Sequence, residues 1–390
     1  MRTLLLARNA VATVFALNGF AFATWMSRIP ETRTALGLTP GQLGTLLLAI
    51  SVGSVLALPS AGMWVHRFGA AGVVAVAAVI DAGGLALAGL GAVGLGEVGV
   101  VAVGLFLLGV GSGTWDVAMN VEGAAVEHGI GRTIMPRFHA AFSLGTVVGA
   151  ATGAAAAATG TGVNTHLVLS ALPVAVGTLV AVRRFLPAAA EAETESTGRP
   201  AGRAWTEPRT LAIGLLVLAM ALTEGVANDW LAVALVDGYG VPPWVGAGGF
   251  ALFVSAMTLG RVTGPVLLDR FGRVPVLWTC MGLATAGVLL VVLGQALVLV
   301  AAGVVLWGVG ASLGFPVGMS AAADDPAYAA SRVSVVSTVG YTAFLAGPPV
   351  LGYLGDQVGV LRALLLVAVL MVPSALAVPA ARRPVADRTG

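Results

Sequence analysis

From Arg8 almost to its C-terminus the chain is a succession of apolar runs, most of them about as long as the roughly 20 residues a helix needs to cross a 30 Å hydrocarbon layer. Charges fall mainly between the runs. A chain built this way lacks the polar surface needed to fold in water: 58% of its residues are hydrophobic and 10% charged, against roughly a quarter charged in soluble domains. Inside a bilayer each run must satisfy its own backbone hydrogen bonds, and for runs of this length that means a helix. The expected fold is therefore all-α and integral to the membrane.

With Gly, Pro and charge clusters as boundaries, spans 1 to 6 fall near 8–27, 41–64, 71–93, 98–121, 136–159 and 163–183. Spans 7 to 12 fall near 210–232, 243–267, 274–294, 296–320, 332–354 and 360–380. Between the two sets lies the one long polar stretch, Arg183 to Arg209, with five arginines, four glutamates and three prolines and no apolar periodicity. That is the composition of a solvated linker. The expected organisation is a six-helix half over 1–183, a linker over 184–209 and a second half over 210–390. Basic loops stay on the cytoplasmic side. With the N-terminus inside, every arginine except Arg28, Arg33, Arg362 and the in-span Arg261 falls there, so both termini and the linker are expected in the cytoplasm of a cell whose inner membrane holds the chain. Arg8 interrupts the N-terminal apolar run, which continues too far for a cleaved signal peptide, so it is expected to stay as span 1.

The two halves resemble each other. His66-Arg67-Phe68-Gly69, between spans 2 and 3, returns as Asp269-Arg270-Phe271-Gly272 between spans 8 and 9, 203 residues on. Gly109-Val110-Gly111-Ser112 of span 4 returns as Gly308-Val309-Gly310-Ala311 of span 10, 199 residues on. Parallel six-helix repeats are an architecture of secondary transporters. Other chemistries lack their residues. There is no lysine and no G-x-x-x-x-G-K-[ST] string, which argues against a P-loop ATPase. Four scattered histidines and the single Cys280 make no metal-ligand spacing, so no metal or other cofactor is expected. No nucleophile and base come together as an enzyme requires, and no basic patch marks a nucleic-acid partner.

The loop Asp269 to Arg273 resembles the signature of the major facilitator superfamily, G-x-x-x-D-R-x-G-R/K, although Pro265 stands where the leading glycine belongs and Gly264 is beside it. The first copy keeps Gly62, Arg67 and Gly69 but has His66 in place of the acid. Longer strings, LNGFAFATWMSRIP in span 1, TWDVAMNVEGAAVE in span 4, RFHAAFSLGTVVGA in span 5, TEGVANDW in span 7 and GYTAFLAGPPVLGYLGD in span 11, are similar to a bacterial group of inner-membrane facilitators that includes the MosC-like proteins. Fucose and glucose permeases are more distant. The resemblance implies a monomer of twelve helices, a small polar sugar- or cyclitol-like solute, and a central cavity lined by spans 1, 4, 7 and 10. It also implies a cytoplasmic latch that includes Arg67, Asp269, Arg270 and Arg273, with Asp269 pairing Arg332 or the amino end of helix 11.

An ionised side chain at the bilayer centre costs roughly 2.5–3.5 kcal/mol, so acids within spans are candidate functional residues. Asp116 and Asn120 share a face of span 4, next to Trp115, which offers a stacking plane; pairing of Asp116 with a loop arginine is the equal alternative. In span 7, Glu224 shares a face with Asn228 and desolvation there favours a protonated carboxyl, which makes Glu224 the expected proton site. Asp229 is a second candidate, nearer the outer end. Asn18 and Trp25, two turns apart in span 1, suit the hydroxyls and the apolar face of a sugar, while Trp25 also fits an interfacial anchor. Trp307 in span 10 is a further stacking ring or core residue, and His139 at the start of span 5 a gate residue or proton relay. Pro316 and Pro348-Pro349 are expected to bend or break spans 10 and 11. Together these read as a proton-coupled transporter of a small polar solute. Proton-driven efflux of drugs or metabolites is the alternative, and a membrane sensor that moves no solute a third.

Overall fold

The computed structural model describes residues 2–132, 134–186, 201–325 and 328–382; the central part of the expected linker, 187–200, lies outside the described residues. The elements among them are all helical. Among the described residues ten helices are long and apolar enough to cross a membrane. One of these, Pro40–Leu95, holds two spans, because the helix Pro40–Gly89 breaks at Gly69 with φ 73° and ψ 155°. With the shorter apolar stretch Val360–Ala375 the total is twelve.

The break at Gly69 has a twin. Gly272, with φ 78° and ψ 171°, separates Pro243–Phe271 from Arg273–Leu293. Only glycine takes such dihedrals without strain, so the two copies of the R-F-G string place the same backbone turn at the same point of each half.

The packing repeats as well. In span 4 (Val98–Ile130) Gly104 and Gly111 lie against Gly84, Ala88 and Asp81 of span 3, while in span 10 Gly303 and Gly310 lie against Gly287, Val291 and Ala284 of span 9. The span 9 residues follow their span 3 counterparts by 203 positions and those of span 10 follow span 4 by 199, the two offsets of the sequence repeat. Backbone approaches of this kind need small residues at the crossing. Gly145 and Gly149 similarly seat span 5 (Met135–Ala158) beneath the Ala16 and Phe20 carbonyls of span 1 (Arg2–Met26).

Of the two expectations about proline, the break of span 10 is met and a break of span 11 is not. Span 10 is interrupted at Ser312-Leu313, between the helices Leu297–Ala311 and Gly314–Ala322, upstream of Pro316. Pro316 stands in the first turn of the second piece, where a missing N–H is tolerated. It has no proton to give the Ser312 carbonyl four residues back, so the helix ends there. Pro348-Pro349, by contrast, lies within the uninterrupted helix Ala329–Val358.

The chain forms two compact units. The first comprises Met1–Glu193, Leu231–Val254 and Pro348–Val360, and the second Thr194–Trp230, Ser255–Gly347 and Leu361–Gly390. In the first unit a short helix, Ile29–Leu36, and a Thr39/Gln42 capping box lead into span 2. There Arg33 is ion-paired with Asp237, Gly41 lies against the Asp356 carboxylate, and Gly44 lies under the Pro348 carbonyl. Arg28, assigned to a loop by the sequence, is fully buried and holds Glu31 at 3.0 Å and the Thr161 carbonyl at 2.7 Å.

Candidate functional site

In the second unit an ion pair crosses from span 7 (Pro208–Tyr239) to span 8 (Pro243–Phe271). Arg261 Nη2 donates to both Glu224 oxygens at 2.9 Å, with the side chains 29% and 17% exposed. Arg261 Nε also reaches the Ser312 carbonyl at 3.4 Å, the acceptor that Pro316 leaves without a helical donor. One turn along span 7, Asn228 is buried and its Oδ1 has no hydrogen-bond partner among the described residues. Asp229 is half-buried. Trp307 is fully buried, and its indole donates to the Thr223 carbonyl at 3.2 Å, which fixes span 10 beside the residue preceding Glu224.

In the first unit the polar groups are more dispersed. Asn18 is buried with Nδ2 unpartnered among the described residues. Trp25 and Trp115 are fully buried, so neither ring has an open face in this conformation, and neither indole nitrogen has a partner among the described residues. Asp116 is exposed, and Asn120 Nδ2 donates to its backbone carbonyl at 2.8 Å and its carboxylate at 3.2 Å. Asp116 makes no ion pair with a loop arginine among the described residues. His139 is exposed and meets the Phe15 ring edge-on at 5.3 Å, while Arg67 lies exposed over Phe68.

The expected latch takes a different form. Asp269 is exposed and has no ion pair among the described residues, and Arg270 lies over Phe271 at 5.2 Å. Arg332 turns instead to Glu207 at 2.7 Å and Asp325 at 3.5 Å. Arg273 is held by Asp324 at 2.7 Å and by Ser320 at 2.9 Å, and Arg209 reaches the other Asp324 oxygen at 2.8 Å and the Ala380 carbonyl at 3.0 Å. The acids come from the segment just after span 10 and from the residue before span 7. Arg273, just beyond the turn at Gly272, is the residue of this loop that meets one of them, and Arg332 is taken by the other two, which leaves Asp269 without it.

Arg261, Glu207, Asp324 and Asp325 are not among the site residues expected from the sequence. For Arg261 a signal was present: a guanidinium inside a span costs as much as a carboxylate and calls for the same scrutiny. Glu207 precedes the proline that starts the helix Pro208–Tyr239, where an acid meets unsatisfied N–H groups and the positive end of the helix dipole.

Residues 11–348 match the family model described as Major Facilitator Superfamily. An uncharacterized transporter of Sinorhizobium fredii is 33% identical over 91% of this chain and 93% of its own length. An uncharacterized MFS-type transporter of Yersinia pestis is 31% identical over 88% and 87%, and the membrane protein MosC of Rhizobium meliloti 28% identical over 92% and 86%. Among solved structures, a mutant of the nucleoside transporter NupG superposes with a TM-score of 0.79 at 14% identity, covering 96% of this chain and 99% of that one. A bacterial homologue of the lysosomal transporter Spinster, inward-facing and occupied, gives 0.76 at 15% identity, covering 100% and 98%.

Proposed function

Given that the chain belongs to the major facilitator superfamily and is a multi-pass membrane transporter, we propose that it moves a small polyhydroxylated solute, sugar- or cyclitol-like, across the cytoplasmic membrane in company with protons. Its two halves, 1–183 and 210–390, would expose the solute site alternately to each side, with both termini and the linker in the cytoplasm.

The observation that carries this reading is a pair of buried amides without partners, Asn18 Nδ2 in span 1 and Asn228 Oδ1 in span 7. A buried polar atom left unsatisfied costs about 1–3 kcal/mol, a cost that a hydroxylated ligand or a bound water would offset. Amides answer hydroxyls, since each has both donor and acceptor. Glu224, beside Asn228, is the proposed proton carrier, and Asp116 and Asp229 are further candidates for that role. That NupG is a nucleoside transporter, a protein for a sugar-bearing solute, supports the same class.

The test is proton flux into proteoliposomes loaded with a pH-sensitive dye as sugars, cyclitols and amino sugars are added outside. Acidification by at least one compound, diminished tenfold or more by Asn18→Ala or Asn228→Ala, is the expected result. Flux driven only by amphipathic cations would replace this reading with efflux.

A further inference from the structure

Resting on that reading, the geometry points to a narrower solute class. We propose that Arg261, Glu224 and Asn228 form a site for a small hydroxylated monocarboxylate, a sugar acid in chemical class, that enters together with one proton.

The argument is one of charge. Glu224 and Arg261 form a neutral pair inside apolar helices, both partly buried. Among the described residues Arg261 is the one charged group in contact with Glu224. Span 10 contributes Trp307 on the Thr223 carbonyl, and Phe344 of span 11 lies against Gly225. A proton added to Glu224 forms an O–H bond there and removes the charge that Arg261 balances. The guanidinium then stands alone in a span, unfavourable by roughly a hundredfold. A neutral sugar does not relieve this, whereas an incoming carboxylate does. It takes the guanidinium that Glu224 releases, and the site carries zero net charge before and after loading.

Arg261 is shaped for the exchange. Its Nη1 makes no hydrogen bond among the described residues, whereas Nη2 holds Glu224 and Nε leans on Ser312. A planar guanidinium offers a carboxylate two parallel donors, so the acid can engage through Nη1 while Glu224 departs from Nη2. One turn from Glu224, the unpartnered Asn228 Oδ1 accepts a hydroxyl of the same molecule. Proton and anion therefore bind cooperatively, and neither moves well without the other.

Proteoliposomes containing the full chain would be tested with gluconate, glucuronate and glycerate against glucose and myo-inositol. For one proton per monoanion, an inward gradient of about one pH unit supports about tenfold accumulation of a carboxylate, unaffected by a potassium diffusion potential. Arg261→Gln abolishes it. Glu224→Gln gives the discriminating signature: it removes competition for Arg261, so gluconate protects the detergent-solubilised variant from heat at least tenfold lower concentration than wild type, yet pH-driven accumulation is lost. A mutation that merely loosened the fold would weaken both. Transport of glucose or myo-inositol with protons while the acids stay outside overturns the carboxylate site and leaves the proposed function standing. Potential-driven uptake of the acids overturns the neutral exchange. Silence from all five compounds in wild type counts against both proposals.

Discussion

At the scale of single residues, two aspartates near the same end of the second unit make contrasting predictions. Asp324 has 9% of its side chain exposed and bridges Arg273 and Arg209, whereas Asp269 is exposed and unpaired among the described residues. Removing one partner of a largely buried pair leaves the other charge uncompensated, which costs about 3 kcal/mol. An exposed charge without a partner is worth less than about 0.5 kcal/mol. Asp324→Ala is therefore expected to lower the melting temperature in detergent markedly and Asp269→Ala hardly at all; equal shifts would show that the ion pairs do not hold this end together. The sequence signature drew attention to the wrong one of the two. Asp269 stands out because it completes a motif, but pairing depends on which charges meet, and Arg332 is taken by Glu207 and Asp325. Glu224 and Asn228 were legible because an acid and an amide four residues apart in an apolar run must share a face. Arg261, the partner of Glu224, lies thirty-seven residues on; its charge inside span 8 marks it out, but nothing in the local pattern says which acid it meets.

At the scale of the helices, the glycines divide into those that make contacts and those that do not, sometimes next to each other. A Cβ on Gly84 would run into the Gly104 carbonyl and the Leu108 nitrogen, and one on Gly287 into the matching Gly303 and Trp307 backbone, while a Cβ on Gly83 would meet nothing within 4 Å. Gly83→Ala should stabilise its helix by about 0.5–1 kcal/mol through backbone entropy alone. Gly84→Ala and Gly287→Ala force two helices apart and should each cost about 1–3 kcal/mol. Thermal unfolding of the three variants checks this, and a stabilised Gly84→Ala would refute the close crossing. Hydropathy made the spans legible, because in lipid the apolar length is the helix. It cannot show which glycine bears a neighbour, nor that span 10 breaks at Ser312 while span 11 passes through Pro348-Pro349. Those outcomes depend on what meets the freed carbonyl: at Ser312 it is the Arg261 guanidinium, a charged donor from another helix.

At the scale of the whole molecule, alternating access requires contacts at one end of the helices that form and break, and the first unit contains a set that fits. The segment Arg33 to Gly44 meets Asp237 at the end of span 7, and Pro348, Gly352 and Asp356 of span 11. Two kinds of contact contribute, and their magnitudes differ. The Arg33–Asp237 pair is 19% and 34% exposed, and such a pair is worth about 1 kcal/mol at most, a factor of about five in population. Gly44 lies directly under the Pro348 carbonyl with no room for a Cβ, so a bulky side chain there excludes the closed arrangement outright. Arg33→Ala should therefore shift the distance distribution between spin labels at Ala35 and Gln357 only slightly, in a background with Cys280 replaced. Gly44→Leu should move nearly all of it to longer distance and abolish net solute uptake, since a gate that never closes cannot isolate the site from one side. If the labels report the same distance in Gly44→Leu as in the parent, the contact is ordinary packing and the closing surface lies elsewhere. If Arg33→Ala alone opens the distribution fully, the ion pair and not the glycine contact holds this end shut.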